Sequence, residues 1–456
     1  MNENTRVYIE KNEYYNLVYE YFSATISDVI ISFLMNLHSG EPLLIDKIMG
    51  DFHSRKNMFI TGQAGTGKSE LLKTFYNESL GNKKIALTST TGISAFNIGG
   101  VTLHSYLGIG LGTASVFYLE TKIKKSQFYR TRWRTLDTLV IDEISMMSPE
   151  LFDKLEELAR KVRNCEKPFG GIQVILSGDL LQLPCVKSDK FCFEAKSWSK
   201  VVENVYILSH IYRQTDIRFQ TCLNEIRLGD PSDETIAILK SCIDKKLEGI
   251  EGIKPTRIFP TNYEADNLNE TELDKLDGEY REYDMSIRVH STKNIDVERY
   301  IKNIKAPRNL ILCEGAQVVL LWNIDVLGGL VNGSRGVITG FTEEDLPIVK
   351  FINGCVMTMT DKIWTIMEGD IEIISFEQIP LKLAWATTIH SSQGLTLDYL
   401  ELSLENIFEF GQFYVAISRA KNLEGLKILS DFSRKRVMAH PDSLKYYRDC
   451  KQYYSL

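Results

Sequence analysis

Nothing in the 456 residues is long and apolar enough to span a bilayer, since a membrane helix needs roughly 18–20 consecutive apolar residues. The eight cysteines, at 165, 185, 192, 222, 242, 313, 355 and 450, include no C-x-x-C pair. That argues against a zinc ribbon or a thioredoxin-type redox centre and reads as buried, reduced thiols. Basic charge is not in excess: 53 Lys and Arg against 60 Asp and Glu leave a net −7. The surface as a whole therefore does not coat a polyanion, and any nucleic-acid contact must be a local, salt-sensitive groove. Internal repeats, low-complexity tracts and flexible linkers are missing. Residues Met1 to Tyr15 mix acids and tyrosines with their bases, unlike a secretory signal or an Arg-rich transit peptide. What remains is expected to be soluble and intracellular, with 44% hydrophobic and 25% charged residues. At about 150 residues per domain, the length calls for roughly two to four units.

Apolar periodicity outlines those units. Ile26, Val29, Ile30, Phe33, Leu34 and Leu37 repeat at helical spacing between Thr25 or Ser27 and Gly40, which predicts an N-terminal packing helix. From Met58 onward, short apolar strands alternate with helical patterns, at Ile85–Thr88, Thr138–Ile141, Gln173–Leu176 and Val205–Leu208. Alternation of this kind predicts a parallel sheet covered by helices on both faces. A second α/β block starts at Arg257–Phe259 and resumes at Leu383–Ala386, Tyr399–Leu402 and Leu426–Leu429. Between its two parts, Gln317–Leu321, Gly336–Thr339, Ile348–Ile352 and Cys355–Thr358 are short strands punctuated by Gly and Asn, the pattern of a small inserted β-barrel.

The chemistry starts in the first block. Met58 to Ile60 lead as a strand into Gly62-Gln63-Ala64-Gly65-Thr66-Gly67-Lys68-Ser69, which fits G-x-x-x-x-G-K-[ST]. Glycines let the backbone N–H groups of such a loop point inward, the next helix adds its positive end, Lys68 reaches the outer phosphates and Ser69 offers a hydroxyl to Mg²⁺. Gly62, Ala64, Gly65, Thr66 and Gly67 supply the cradle. Leu139-Val140-Ile141-Asp142-Glu143 then ends a strand in two acids, at the sheet edge where ligands sit. Asp142 is expected to hold Mg²⁺ and Glu143 to orient or deprotonate the attacking water. After a further strand, Gly178-Asp179-Leu180-Leu181-Gln182-Leu183-Pro184 carries Gln182, the expected γ-phosphate sensor. No Asn-Lys-x-Asp segment follows to read guanine.

These stretches, with Thr90 to Ser105 between them, occur in the order of the superfamily 1B helicases. Pro168-Phe169-Gly170-Gly171-Ile172-Gln173 resembles the signature of the Pif-one (petite integration frequency) DNA helicases. Tyr212-Arg213-Gln214, Leu223 to Gly229, Val331 to Gly336, Thr388 to Gly394 and Tyr414 to Ala420 are similar to that family's later motifs. The resemblance covers roughly residues 55 to 432.

The resemblance implies an α/β protein with two RecA-like P-loop NTPase domains, a small insertion subdomain and an inserted SH3-like β-barrel. The expected boundaries are 1–40 for the N-terminal helical segment and 41–203 for the first domain, with its insertion at about 110–135. The second domain takes 204–309 and 381–456, and the barrel 310–380. Arg213 and Arg419, expected from the second domain, would stabilise the charge that spreads over the γ-phosphoryl oxygens. Gln393 and Gly394 would join the nucleotide site. Thr91, Asn97, His104 and Ser105 in the first domain, with His390 and Ser392 in the second, would hold single-stranded DNA by its phosphates. Between Phe117 and Arg134, six bases interleave with five aromatics; Tyr129 and Trp133 are the rings expected to stack on bases.

The implied activity is ATP- and Mg²⁺-dependent, 5′-to-3′ unwinding of forked or 5′-tailed duplex DNA in replication, repair or recombination. The protein would be a monomer in solution, with single-strand-binding or replisome proteins as possible partners. A RecD-like translocating subunit and an ATPase that remodels nucleoprotein without unwinding are the alternatives. Helicases of this group usually read adenine with a glutamine upstream of the loop. Here the first glutamine is Gln63, so weaker discrimination among nucleoside triphosphates is expected.

Overall fold

A computed structural model of the chain describes residues 42–454 except 80–83, 111, 186–189, 244, 248–252, 291–296, 302–303, 305, 323, 326–329, 331–332, 369–370, 394–396 and 398. The helix expected at Ile26–Leu37 and the 1–40 segment lie outside the described residues, as does Gly394. The chain divides into two units, Met1–Arg55 and Lys56–Leu456. The first is described as one helix, α1 (Pro42–His53), starting on a proline whose missing N–H has no partner to lose in a first turn. Among the described residues, no helix is long and apolar enough to cross a membrane.

The second unit opens with a parallel six-stranded sheet. β1 (Met58–Gly62), β2 (Ile85–Ser89), β3 (Val101–Thr102), β4 (Thr138–Asp142), β5 (Gln173–Gly178) and β6 (Asn204–Leu208) lie in the order β3-β2-β4-β5-β1-β6. Every residue of β1, β4 and β5 is buried. Strands covered on both faces need no polar alternation, which is why these read as continuous apolar runs. The expected domain boundary at 204 is corrected, because β6 pairs along its length with β1 and belongs to this sheet. Helix α2 (Lys68–Glu78) leaves the loop after β1, with Gly67 at its N-cap at φ 83°, a conformation costly for any side chain.

On this sheet's helical side, α3 (Gly92–Asn97) and α4 (Leu103–Leu107) flank β3, and the insertion follows as α5 (Val116–Lys125) and α6 (Gln127–Thr135). Both insertion helices are capped by serine: Ser115 Oγ accepts from Tyr118 N, and Ser126 Oγ from Tyr129 N. Their apolar faces join one core with α7 (Pro149–Arg163), through Leu119, Ile123, Tyr129 and Trp133 against Phe152, Leu155 and Leu158.

The segment after α7 shows what its signature does. Phe169 (φ 49°) and Gly170 (φ 60°) both take left-handed backbone, which turns the Phe169 ring into the core beside Phe152 at 5.5 Å. Arg163 Nε donates to the Gly170 carbonyl at 2.7 Å, while its Nη1 donates to the carbonyls of Trp133 at 2.6 Å and Leu136 at 3.1 Å. This turn therefore staples the end of α6 to α7.

The second lobe begins with α8 (Ile217–Leu228) and contains the strand β7 (Thr256–Phe259) and the helix α9 (Asn262–Leu273). A largely antiparallel region follows, made of β8 (Arg281–Asp284), β9 (Ser286–Val289), β10 (Asn309–Leu312), β11 (Gln317–Leu320), β12 (Arg335–Phe341), β13 (Pro347–Phe351), β14 (Val356–Thr358), β15 (Lys362–Glu368), β16 (Ile371–Gln378) and β17 (Leu381–Leu383). Five of these strands form a sheet in the order β14-β13-β12-β11-β17. Because β8 pairs with β10 and β9 with β16, this region starts near 281 rather than at the expected 310. β18 (Ala386–Thr388), β19 (Leu400–Leu402) and β20 (Leu426–Ile428) complete the parallel sheet β18-β7-β19-β20. The single strand expected at Leu383–Ala386 is split: Leu383 pairs antiparallel with Val318, and Ala386 pairs parallel with Arg257.

The chain ends in α10 (Gln412–Ile417), β20 and α11 (Pro441–Tyr454). α11 is not a second-domain element as expected. Tyr447 is buried in the first lobe's core, and Tyr446 packs on Phe193 at 4.5 Å.

A Cβ at Gly170 would lie 2.6 Å from the Ala159 carbonyl oxygen, in backbone that L-residues avoid. Gly170→Ala is expected to destabilise the protein by about 2 kcal/mol or more. Chemical denaturation checks this, and an unchanged midpoint contradicts it.

Candidate nucleotide site and its interdomain closure

The phosphate loop is held shut by its own lysine. Lys68 Nζ donates to the carbonyls of Gly62 at 2.6 Å and Gln63 at 2.9 Å, and Thr66 Oγ1 to Gln63 at 2.9 Å. Burial lowers the lysine's pKa, opposed by the charges of Asp179, Glu143 and Asp142. An ammonium facing three carboxylates, bound only to neutral carbonyls, is available to incoming phosphates.

Strand β4 delivers the acids. Asp142 is buried, and one of its oxygens accepts from Ser94 Oγ at 2.9 Å. Ser69 stands at the start of α2. Together they offer one carboxylate and one hydroxyl, a donor set that fits Mg²⁺ completed by phosphates and water. Among the described residues there is no cluster of three or more His, Cys, Asp or Glu to form an all-protein metal cage. Glu143 sits in left-handed backbone (φ 54°, ψ 46°), the sort of local strain that active sites retain. Burial, then the neighbouring Asp142 charge, push its pKa up to about 7, opposed by Lys68 and Arg419.

The rest of the site comes from beyond this sheet. Gln393 Nε2 donates to Glu143 Oε2 at 3.0 Å, and the Ala64 N–H donates to the Tyr414 hydroxyl at 2.8 Å. Arg419, 1% exposed, donates from Nε to Val415 O at 3.0 Å and from Nη2 to Ser418 Oγ at 2.8 Å. Burial and the adjacent Arg213 lower its pKa to about 9, against the pull of Tyr414 and Glu143. The buried Arg419 and the half-buried Arg213 repel each other, an arrangement that added negative charge would relieve.

Arg213 differs from expectation in its origin. It lies in the connection between β6 and α8, next to Tyr212, whose N–H donates to Gly65 O at 2.8 Å. Of the two arginines, Arg419 alone lies among the second sheet's elements. Gln182 is buried, and its carbonyl lies 2.6 Å from where a Gly411 Cβ would be, so the start of α10 abuts the expected sensor turn.

Asp179 and Arg227 form a contact that motif reading did not single out. Arg227, on α8, donates to both Asp179 oxygens at 2.9 and 2.8 Å, and Asp179 is 0% exposed. Burial alone would raise the aspartate's pKa, but the Arg227 charge and hydrogen bonds, with Lys68, hold it below the usual range. Asp179 falls within Gly178 to Pro184 and Arg227 within Leu223 to Gly229, so both lie in motif segments. Their partnership joins residues 48 positions apart.

The expected DNA contacts divide. Thr91, Asn97 and His104 are half-buried and Ser105 is exposed along α3 and α4, and His390 is half-buried beyond β18. Burial lowers the pKa of both histidines, opposed at His390 by the Glu409 charge. Ser392 is corrected: it is fully buried and its Oγ donates to Ile389 O at 2.8 Å. Tyr129 and Trp133 are corrected as well. Trp133 is 0% exposed with Nε1 donating to Leu107 O at 3.0 Å, and Tyr129 is buried beside it, so neither presents a face to a base. The exposed rings of the insertion are Phe117 and Tyr118, 77% and 62% exposed. Helical periodicity separates these pairs, since Tyr129 and Trp133 are four apart on the face that also carries the core contacts of α6.

The phosphate loop, the paired acids, and Gln393, Tyr414 and Arg419 brought in from beyond the loop's own sheet define a P-loop nucleotide-binding protein with a divided site. The family model described as PIF1-like helicase matches residues 42–235, and that of the DNA helicase Pif1 2B domain matches residues 301–341. The Xenopus laevis protein named ATP-dependent DNA helicase PIF1 is 41% identical over 429 residues, 92% of this chain and 65% of the frog protein. The chain thus spans just under two thirds of that relative's length. The crystal structure of the Candida albicans Pif1 helicase superposes with a TM-score of 0.80 at 35% identity, covering 90% of this chain and 98% of that one. A Bacteroides Pif1 structure in complex with ADP-AlF3 and ssDNA gives 0.69 at 30% identity, covering 90% and 97%. The chain belongs to the PIF1-like helicase family.

Arg227→Met leaves a buried carboxylate without its cation and is expected to cost about 3–5 kcal/mol of stability. The paired, depressed Asp179 stabilises the native protein above the ordinary carboxylate pKa, and that contribution is lost as pH falls through its folded value. The gap between wild type and variant should therefore narrow towards acid in urea titrations. A gap that widens there contradicts the assignment.

Proposed function

We propose that this protein is an ATP-dependent DNA helicase that moves 5′ to 3′ on single-stranded DNA and unwinds 5′-tailed or forked duplexes. The observation that carries the reading is the closure of the phosphate loop from outside its own sheet, by Gln393 on Glu143, Tyr414 on Ala64 and the buried Arg419. The names of the frog relative and of the Bacteroides complex, with its nucleotide analogue and single strand, support it. In this reading the two parallel sheets are the RecA-like domains, α5 and α6 the insertion subdomain, and the five-stranded antiparallel sheet the SH3-like barrel.

Mg²⁺ held by Ser69 and Asp142 would neutralise phosphate charge. Lys68 exchanges its two loop carbonyls for phosphate oxygens, Glu143 takes the proton of the attacking water, and Gln182 contacts the γ-phosphate. Arg213 and Arg419 stabilise the charge that develops as the bond breaks. Once hydrolysis removes that charge, the two guanidiniums again repel each other and the cleft opens, so DNA grips on the two lobes alternate. Thr91, Asn97, His104, Ser105 and His390 serve as phosphate contacts, and Phe117 and Tyr118 replace Tyr129 and Trp133 as stacking rings.

Lys68→Ala should abolish hydrolysis while single-strand binding persists. Arg419→Ala should lower kcat by about 10³-fold or more with little change in KM. DNA-stimulated phosphate release measures both, and a pure loss of ATP affinity in the Arg419 variant contradicts its role. Phe117→Ala with Tyr118→Ala should weaken oligothymidylate binding about tenfold or more, by loss of stacking. Fluorescence anisotropy checks this, with unchanged affinity as the contrary result.

A further inference from the structure

The C-terminal helix α11 lies beyond every motif of the nucleotide site, yet one of its side chains reaches the site's foundations. The Tyr447 hydroxyl donates to Asp179 Oδ1 at 3.3 Å and accepts from the Leu180 N–H at 3.1 Å. Its remaining lone pair faces Thr61 Oγ1, also within hydrogen-bond distance. A phenol has one donor and two acceptor positions, so Thr61 must be the donor and the hydroxyl is saturated. The Tyr447 ring lies under the Arg227 guanidinium at 5.0 Å. Burial raises the phenol's pKa, so it keeps its proton.

The partners of this hydroxyl are not incidental. Thr61 is the residue before Gly62, whose carbonyl holds Lys68, and in register it lies beside Gly178, the residue before Asp179. Leu180 begins the turn that ends at Gln182. One hydroxyl therefore ties the last strand residue before the phosphate loop to the first residues of the sensor turn, at the point where Arg227 arrives from α8.

We propose that Tyr447 is a positioning residue for ATP hydrolysis, fixing the sensor turn and the root of the phosphate loop in register with each other. It touches no expected substrate atom and acts through Thr61, Asp179 and Leu180. The inference rests on the reading of this site as an ATPase whose Gln182 senses the γ-phosphate. Misplacing catalytic groups by about an ångström can cost on the order of 10²-fold in rate, whereas the loop amides and Lys68 that bind the nucleotide remain in place.

The test compares Tyr447→Phe, which keeps the ring under Arg227, with Thr61→Val, which breaks the same junction from the strand, and with Thr61→Ser, which keeps the hydroxyl. Each is measured in the full chain for DNA-stimulated ATP hydrolysis, normalised to sites that bind a fluorescent ADP analogue. Tyr447→Phe and Thr61→Val should each lower kcat by about 10- to 100-fold, leave KM for ATP within about twofold, and combine without further loss, while Thr61→Ser restores the rate. Normalisation removes the contribution of any unfolded fraction. A normalised kcat equal to wild type in Tyr447→Phe, or losses in the two variants that multiply when combined, overturns the proposal. Gln182→Ala run in parallel separates the two ideas. If it hydrolyses normally while Tyr447→Phe is slow, the sensor reading fails and Tyr447 still positions the loop.

Discussion

Asp179 is fully buried against a largely buried Arg227, and the carboxylate could not be buried without that cation. An unpaired charge in such a place costs several kcal/mol even after relaxation. The pair is bidentate, at 2.8 and 2.9 Å, and joins the end of β5 to α8. It lies at the root of the phosphate loop, in the electrostatic field that also includes Lys68. Neighbouring residues already mingle there: Ala64 and Leu183 pack in the hydrophobic core built mainly by α8, α10 and the second parallel sheet. A junction that is both ionic and apolar resists separation, which suits it to act as the pivot about which the rest of the cleft opens.

The groups proposed for catalysis lie on both sides of that pair. On one side are Lys68 and the two acids at the end of β4. On the other are Gln393, Tyr414 and Arg419, each reaching the loop or Glu143 by a single hydrogen bond or by charge alone. Such contacts exchange easily for contacts to a triphosphate. The paired guanidiniums of Arg213 and Arg419, with the pKa of Arg419 lowered to about 9, favour negative charge between the lobes. In the proposed cycle, binding energy is coupled to closure, and loss of the γ-phosphate to opening.

Much of this was legible in the sequence, because the phosphate loop and the acid pair are local patterns whose chemistry depends on spacing along one strand–loop–helix. β1, β4 and β5 were legible as apolar runs because they are covered on both faces. The unread parts depend on contacts distant in sequence. The domain of β6 is not legible, because an apolar strand does not say which sheet it joins. Ala384 and Trp385 break an apparently continuous strand because the chain there leaves an antiparallel sheet for a parallel one. The basic neighbours of Trp133 and Tyr129 suggest ligand-facing rings. Arg132, one such neighbour, is itself spent on packing, stacked on Phe128 at 4.0 Å and bonded to the Tyr106 carbonyl at 3.0 Å. The C-terminal helix carried no motif, and the role of Tyr447 arises from partners 267 and 386 positions away.

Nucleotide-driven closure of this divided site is proposed to move the protein along one strand in one direction. Strand separation of matched duplexes carrying either a 5′ or a 3′ single-stranded tail, with and without ATP, tests this. Unwinding of the 5′-tailed duplex only, and only with ATP, is the expected result. Unwinding of the 3′-tailed duplex instead, or of either duplex without nucleotide, would contradict it.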